Sequence, residues 1–199
     1  NHWKGSNLEY DLLDERCEIT CGASPRRRWS GMDESFSGVL MVGYHAMDNT
    51  AGGILAHSYS SVDYQWIKVN GREVGEMEID AALAGEKGVP VIFVSSDNHG
   101  AAEAKRFFPW IETVAVKQGI ARHHAVSLHP AEAVRRIASG VTAAVKRLGE
   151  MKTFTFDSPL TLEYRFKTLD LAERAGQTDW QRVDPYTCRK QMQRISDEY

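Results

Sequence analysis

Residues 38–44 have the sequence Gly-Val-Leu-Met-Val-Gly-Tyr, an apolar run that stops at His45. An apolar run without alternation is typical of a short strand that is buried on both faces of a parallel sheet. Residues 89–95 have the same character and are followed closely by Asp97. The two runs therefore predict two strands of one sheet, with His45 and Asp97 at their carboxyl ends.

Helical patterns alternate with these strands. Helices are predicted over residues 75–87, 101–108 and 130 to about 148, and the last of these has Pro130 and Glu132 in its first turn. Residues 113–116 form a third strand candidate. Strands that alternate with helices predict an α/β fold, with a mostly parallel sheet flanked by helices.

The remaining patterns differ from that alternation. Residues 64–69 are strand-like and run through the turn Asn70-Gly71 into residues 72–74, which predicts a hairpin. Apolar residues at 160, 162, 164 and 166 predict a half-buried strand, and the tail from residue 187 onward predicts a polar helix. We expect an α/β domain over residues 1–128 that carries the functional site, and a smaller α+β portion over residues 129–199.

The composition limits the class of protein. The chain of 199 residues is 42% hydrophobic and 26% charged, as in soluble globular proteins, and its net charge of -3 argues against a nucleic-acid partner. No apolar run approaches the roughly 20 residues of a membrane span. Its 3 cysteines fit a reducing compartment, so a cytoplasmic location is expected. The basic run at residues 26–28 predicts a solvated loop.

Histidine and glutamate side chains are the first candidates for chemistry. His45 directly follows a predicted strand, where sites of parallel sheets lie, and His57 follows a glycine-rich loop. Glu76 begins a predicted helix and shares its apolar face with Ile79, as does Asp80. A carboxylate on such a face must be paired, protonated or bound to metal. Charge complementarity at a helix N-terminus explains Glu76 equally well.

Two histidines and one glutamate could hold a zinc ion and leave a position open for water. Bound zinc lowers the pKa of that water to about 7, and a further histidine could act as acid or base toward a departing amine. The spacings match no short zinc motif. Asp97-Asn98-His99 equally fits a turn or helix cap, and His123 and His124 would point to opposite faces of a strand.

Several motifs occur together in the order typical of one family. Residues 36–46, His57-Ser58 and Val74-Gly75-Glu76 resemble the zinc-dependent D-aminopeptidases associated with dipeptide-transport operons. The similarity continues through residues 88–91 and 115–118 and covers roughly residues 1 to 170.

The resemblance implies an α/β metallo-aminopeptidase that hydrolyses the amino-terminal, D-configured residue of short peptides. It also implies a ring-shaped homo-oligomer and two Zn²⁺ ions per subunit. His2, His45 and Glu76 would be metal ligands and His57 the catalytic residue. Lys117 and Arg122 are the expected substrate contacts.

The family has two further carboxylate ligands in an Asp-x-Glu on its first strand, and this sequence contains no counterpart. We therefore expect the native protein to have an Asp-x-Glu strand within about sixty residues before Asn1. Two alternatives stay open. One is a metal-dependent hydrolase or amidase that acts on another small amide, and the other is a non-catalytic, metal-poor relative with an assembly role.

Overall fold

The structure, a computed structural model, describes residues 8–20 and 28–199. The strands within these ranges are β1 (Val39–Val42), β2 (Tyr64–Val69), β3 (Arg72–Val74), β4 (Val91–Asp97), β5 (Glu112–Ala121), β6 (His124–Ser127), β7 (Leu160–Phe166), β8 (Gln181–Arg182) and β9 (Thr187–Met192). The α-helices are α1 (Glu76–Gly85), α2 (Asn98–Phe107), α3 (Pro130–Lys146) and α4 (Leu169–Gly176). Short 3₁₀ helices lie at Tyr10–Leu12, Leu148–Glu150 and Ile195–Asp197.

A four-stranded sheet with the order β1-β4-β5-β6 organises the first half of the fold. β1, β4 and β5 run parallel, and β6 returns antiparallel along β5. Gly100 of α2 packs against Ser96, whereas Gly140 of α3 packs against Phe93. Because successive side chains of a strand point to opposite faces, α2 and α3 flank opposite faces of this sheet. The α/β fold with a mostly parallel, helix-flanked sheet is confirmed.

The two predicted buried strands differ in their environment. β4 is buried at every position, as its unbroken apolar run predicts. β1 is the edge strand of the four-stranded sheet, and its side chains alternate, with Leu40 43% and Val42 58% exposed. The prediction that β1 is buried on both faces is therefore wrong for the described part of the chain, in which no element covers its outer face.

A five-stranded antiparallel sheet with the order β3-β2-β7-β9-β8 forms the second half. The β2–β3 hairpin is confirmed, and positive φ angles of 51° at Asn70 and 77° at Gly71 fit its tight turn. β2 also pairs with β7, so this sheet joins strands from both sides of position 128. The proposed division at residues 128 and 129 stays a prediction.

The predicted polar helix from residue 187 onward is wrong. Thr187–Met192 is strand β9, which pairs with residues 160–165 of β7 and buries Thr187, Cys188 and Met192. Pairing with a strand distant in sequence overrode the local helical pattern. Residues 17–20, which are strand-like in sequence, have no regular structure, and Cys21 lies outside the described residues.

One hydrophobic core joins the two sheets through α1. The core contains Ile67 of β2, Val94 of β4 and Leu162 of β7, together with Met77 and Ile79 of α1. α1 is therefore buried on all sides rather than on one face. The amino-terminal end of α1 therefore lies between the two sheets. No helix within the described ranges has the length and apolar character needed to cross a lipid bilayer.

Candidate metal centre

His45 lies just beyond the carboxyl end of β1, where the chain leaves the sheet. Gly43 has a φ of 75°, which favours glycine, and its N–H and that of Tyr44 each donate to the Ser95 carbonyl at 3.0 Å. The Ser96 hydroxyl donates to the Tyr44 carbonyl at 2.6 Å. β4 thus holds the backbone directly before His45 in place.

His57 is carried by a loop that is tied down on two sides. The Asp97 carboxylate accepts a hydrogen bond from the Ile54 N–H at 2.6 Å. Leu55 N–H donates to the Arg122 carbonyl at 2.9 Å, and the Arg122 guanidinium donates to the carbonyl of Ala56. The end of β4 and the β5–β6 turn therefore fix the loop before His57.

Glu76 is the first residue of α1 and follows β3 after the single residue Gly75. It is 7% exposed, and its Oε1 accepts a hydrogen bond from the Tyr59 N–H at 2.8 Å. A carboxylate in the first turn is also favoured by the partial positive charge of the helix N-terminus. Both interpretations of Glu76 from the sequence therefore apply. Its negative charge complements the helix N-terminus, and it is also a buried carboxylate that could carry a function.

The three side chains converge on one point. His45 Nε2 lies 3.4 Å and His57 Nε2 lies 3.6 Å from Glu76 Oε1. The two imidazole rings stack with their centroids 3.8 Å apart. One candidate ligand atom from each of the three residues lies within 4.8 Å of the other two, and the group is buried or half-buried.

The backbone sets the orientation of both histidines. His45 Nδ1 lies 3.1 Å from the Ala46 carbonyl, and His57 Nδ1 lies 2.6 Å from the Leu55 carbonyl. A carbonyl oxygen can only accept, so each Nδ1 is the donor. In the neutral ring, each Nε2 then carries the lone pair and points toward Glu76. Histidine ligands of metals are typically oriented by such a hydrogen bond from the other ring nitrogen.

An ion-pair network contacts the second carboxylate oxygen of Glu76. The Arg28 guanidinium is 3.7 Å from Glu76 Oε2 and forms a two-pronged ion pair with Asp80, which is buried. The Tyr44 hydroxyl donates to the same Asp80 carboxylate at 2.5 Å. Arg28 lies in a loop and is exposed, as the sequence predicts, although its guanidinium also joins this ion-pair network. Arg26 and Arg27 lie outside the described residues.

The pKa values of the cluster follow from these contacts. Burial opposes ionisation of Glu76, but hydrogen bonding and charge attraction from His45, the Tyr59 N–H and the charge of Arg28 together lower its pKa to about 2. Burial also opposes charging of His45, yet the hydrogen bond and charge of Glu76 raise the pKa of that imidazole. The cluster therefore favours an anionic carboxylate beside two imidazole nitrogens.

This donor set fits zinc. Zinc binds imidazole nitrogen and carboxylate oxygen, and catalytic sites commonly have three such protein ligands. Here His45 Nε2 and Glu76 Oε1 can supply two such ligands, and His57 Nε2 lies 3.6 Å from the same carboxylate oxygen. Within the described ranges no other group of histidine, cysteine and acidic side chains comes together in this way.

The other sequence candidates lie around the cluster. His2 is outside the described residues. Lys117 is exposed on β5 at the position that pairs with Asp97, and Arg122 contacts the loop that carries His57. Substrate contact by Lys117 and Arg122 stays a prediction.

The remaining histidine and aspartate side chains have separate outcomes. Asp97 is the N-cap of α2, where its carboxylate accepts from the Gly100 N–H at 2.8 Å, and His129 caps α3 in the same way. His123 and His124 are exposed and adjacent in the β5–β6 hairpin. None of these side chains belongs to the three-residue cluster.

Sequence reasoning missed the side chains that support the cluster. Arg28 is distant in sequence from Asp80 and Glu76, and nothing in its local pattern predicts that pairing. Tyr44 precedes His45 in the apolar run, and its position in that run gave no sign of its hydrogen bond to Asp80. The position of Asp80 one helical turn after Glu76 was the available signal.

Comparison with known proteins gives consistent results. Residues 1–199 match the profile of a family described as D-aminopeptidase. The chain is 31% identical over 188 residues to a D-aminopeptidase of Bacillus subtilis (strain 168), covering 94% of this chain and 66% of that relative. It thus spans just under two thirds of the relative's length. The fold also matches the Zn-dependent D-aminopeptidase DppA from Bacillus subtilis, a self-compartmentalizing protease, with a TM-score of 0.92, 29% identity and coverage of 100% of this chain and 73% of that one.

Proposed function

The chain belongs to the D-aminopeptidase family, and we propose that the protein is a zinc-dependent aminopeptidase that removes the amino-terminal, D-configured residue from short peptides. The observation that carries this proposal is the convergence of His45 Nε2 and His57 Nε2 on Glu76 Oε1. Each imidazole is oriented by a backbone carbonyl, as metal-site histidines are.

His45 and Glu76 would hold the metal. Zinc supplies Lewis-acid chemistry when bound, because it polarises a carbonyl group and makes water nucleophilic at neutral pH. Glu76 enters the reaction as an anion, since its low pKa of about 2 keeps it ionised at any working pH. Arg28, 3.7 Å from Glu76 Oε2, balances that charge on the side away from the histidines.

His57 would handle the proton. Its Nδ1–H donates to the Leu55 carbonyl, so its Nε2 is the nitrogen that can accept a proton beside the cluster. The ring then passes that proton to the departing amine, which is ordinary acid–base work for a histidine. The hydrogen bonds of this loop with Asp97 and Arg122 keep the His57 ring in position during the proton transfer.

The same proposal includes the oligomeric assembly and the number of zinc ions per subunit. The related DppA is described as self-compartmentalizing, and a homo-oligomeric ring that encloses its sites would give this chain the same property. A second zinc would use His2 together with the two carboxylates of an Asp-x-Glu strand. Lys117 and Arg122, near the carboxyl ends of β4 and β5, would contact the short peptide.

The test is release of alanine from D-Ala-D-Ala and L-Ala-L-Ala by the native-length protein, with and without zinc. We expect release from the D-peptide that requires zinc and is lost in His57→Ala. Release from the L-peptide alone would overturn the D-preference. Release from neither peptide, with zinc measured as bound, would refute the dipeptidase assignment and favour hydrolysis of another small amide, which a panel of amides would then identify.

A further inference from the structure

Asp80 lies one helical turn after the candidate ligand Glu76 on α1 and is 1% exposed. Its carboxylate accepts hydrogen bonds from two side chains. Arg28 donates from Nε to Asp80 Oδ1 and from Nη2 to Asp80 Oδ2, the latter at 2.5 Å. The Tyr44 hydroxyl donates to Asp80 Oδ2 at 2.5 Å. Both oxygens of this buried carboxylate are therefore satisfied, as burial requires.

The Arg28 side chain is held by the edge that pairs best with carboxylates. A guanidinium group binds a carboxylate most strongly through two parallel N–H groups, and Arg28 uses Nε and Nη2 in this way on Asp80. Its Cζ also lies 4.9 Å from the centre of the Tyr59 ring, and its backbone N–H donates to the Tyr199 carbonyl at 3.4 Å. Both the backbone and the side chain of Arg28 are thus held in place.

Glu76 interacts less closely with the same arginine. The distance from Arg28 Nη2 to Glu76 Oε2 is 3.7 Å, which allows charge attraction but is too long for a hydrogen bond. Residues four apart on a helix are neighbours on its surface, so both carboxylates lie beside one guanidinium group. Of the two, Asp80 is the partner that holds the arginine.

This choice of partner bears on metal binding. An arginine that formed two hydrogen bonds with Glu76 would occupy lone pairs that a metal ion needs and would neutralise the charge that attracts it. With Arg28 held on Asp80, Glu76 Oε1 faces His45 Nε2 at 3.4 Å and His57 Nε2 at 3.6 Å. Two carboxylates that share one guanidinium group also keep a net negative charge beside the imidazoles.

We propose that Asp80 is a positioning residue that withholds Arg28 from Glu76 and so keeps the Glu76 carboxylate open for zinc. Asp80 acts through the guanidinium group and touches neither metal nor substrate. The restraint follows from the contacts of Arg28 with the two carboxylates, whereas its importance for zinc rests on the proposed function.

Neutral substitutions test this restraint in two steps. Asp80→Asn keeps the size of the side chain but offers one acceptor oxygen instead of two, so it no longer matches the guanidinium fork and Arg28 is free to close on Glu76. Adding Arg28→Met to Asp80→Asn removes the competitor together with its partner, so neither charge is left unpaired. We expect Asp80→Asn to bind zinc about tenfold more weakly than wild type, and the double variant to regain wild-type affinity within about threefold.

Two measurements on the full-length protein follow the restraint without peptide hydrolysis. The first is the zinc Kd from chelator competition. The second is the crystal structure of zinc-free Asp80→Asn, in which we expect the distance from Arg28 Nη2 to Glu76 Oε2 to shorten from 3.7 Å to about 2.8 Å.

An arginine elsewhere in the fold provides a matched control. Arg147 also lies between two carboxylates, those of Glu112 and Glu150, and none of these residues belongs to the three-residue cluster. Glu112→Gln, alone and combined with Arg147→Met, should leave the zinc Kd within about twofold of wild type.

Wild-type zinc affinity in Asp80→Asn, or an Arg28 that stays on residue 80 in its crystal structure, would overturn the proposal. An equal loss of affinity in the single and double variants would also overturn it, because removal of Arg28 would not rescue a purely structural defect. If Asp80→Asn does not fold, the double variant decides. Affinity at or above that of wild type would support the restraint, and affinity about tenfold weaker would contradict it.

The outcome for the proposed function is read separately. Zinc affinities that follow the expected pattern in a protein that hydrolyses no peptide would refute the peptidase activity and leave the restraint of Arg28 intact. Peptide hydrolysis that requires zinc, together with wild-type zinc affinity in Asp80→Asn, would support the peptidase and refute the restraint.

Discussion

Replacement of Asp97 tests whether the end of β4 positions the catalytic loop. The buried Asp97 carboxylate accepts from the Gly100 N–H at 2.8 Å, as the N-cap of α2, and from the Ile54 N–H at 2.6 Å. Loss of a helix N-cap costs about 1 kcal/mol, and loss of a buried hydrogen bond to a charged group costs about 1.5 to 3 kcal/mol. Because one side chain makes both bonds, the terms do not add fully, and we expect Asp97→Ala to lower the free energy of unfolding by about 3 kcal/mol.

Asp97→Asn divides this effect between the helix and the loop. The asparagine oxygen can still cap α2 at Gly100, but its NH₂ then faces the Ile54 N–H. We expect a loss of about 1 to 2 kcal/mol in the free energy of unfolding, together with a fall in kcat of about tenfold or more, because the loop that carries His57 is released.

Urea unfolding of the zinc-free protein and steady-state kinetics of the zinc-loaded protein measure the two parts. Thr168→Ala is the control, because Thr168 caps α4, a helix that contributes no side chain to the cluster, and its loss should cost about 1 kcal/mol without changing kcat. An Asp97→Ala variant within about 0.5 kcal/mol of wild type would refute the reasoning. So would equal kcat values for Asp97→Asn and wild type.

Three further changes probe other parts of the account. Arg122→Ala removes the guanidinium that donates to the Ala56 carbonyl, and we expect kcat to fall about tenfold with the zinc Kd unchanged. The pKa of Glu76 is lowered from 4.5 to about 2. The ionised Glu76 therefore stabilises the zinc-free protein above pH 4.5, and this stabilisation is lost as the pH falls toward 2. In Glu76→Gln, acid unfolding should lack this pH-dependent loss of stability. Gly85→Ala places a Cβ 1.9 Å from the Phe154 carbonyl oxygen and should lower the free energy of unfolding by about 2 to 3 kcal/mol in a urea titration.

Matched controls keep these tests specific. Arg136→Ala removes an arginine on the surface of α3 that pairs with Glu132, and kcat should not change. Gly149→Ala adds a Cβ that meets nothing within 4 Å and should leave stability nearly unchanged. An Arg122→Ala variant with unaltered kcat, a Glu76→Gln variant with the acid unfolding curve of wild type, or a neutral Gly85→Ala variant would each contradict its prediction.

Local patterns in the sequence predicted most of the fold. The unbroken apolar run of β4, the turn at Asn70 and Gly71, and the alternation of β7 each depend on neighbouring residues, and each has the predicted structure. β9 was mistaken for a helix because its strand character comes from pairing with β7. The exposed face of β1 depends on its place at the edge of the sheet, which an apolar run does not specify.

The candidate site, like the fold, was predicted only in part. The positions of His45 after a strand and Glu76 at the start of a helix indicated functional candidates, and the structure brings both together with His57. The supporting groups were not predictable, because each contact joins distant parts of the chain. Arg28 meets Asp80 across the fold, and Glu103 accepts a hydrogen bond from the distant Met47 N–H.

The most direct test of the central claim is anomalous diffraction at the zinc edge from crystals of the full-length protein grown with zinc. The account predicts an anomalous peak about 2.0 to 2.2 Å from both His45 Nε2 and a Glu76 carboxylate oxygen. The peak should disappear from that position in Glu76→Gln. A zinc ion bound elsewhere, or no zinc between these two residues, would contradict the assignment of this cluster as the metal centre.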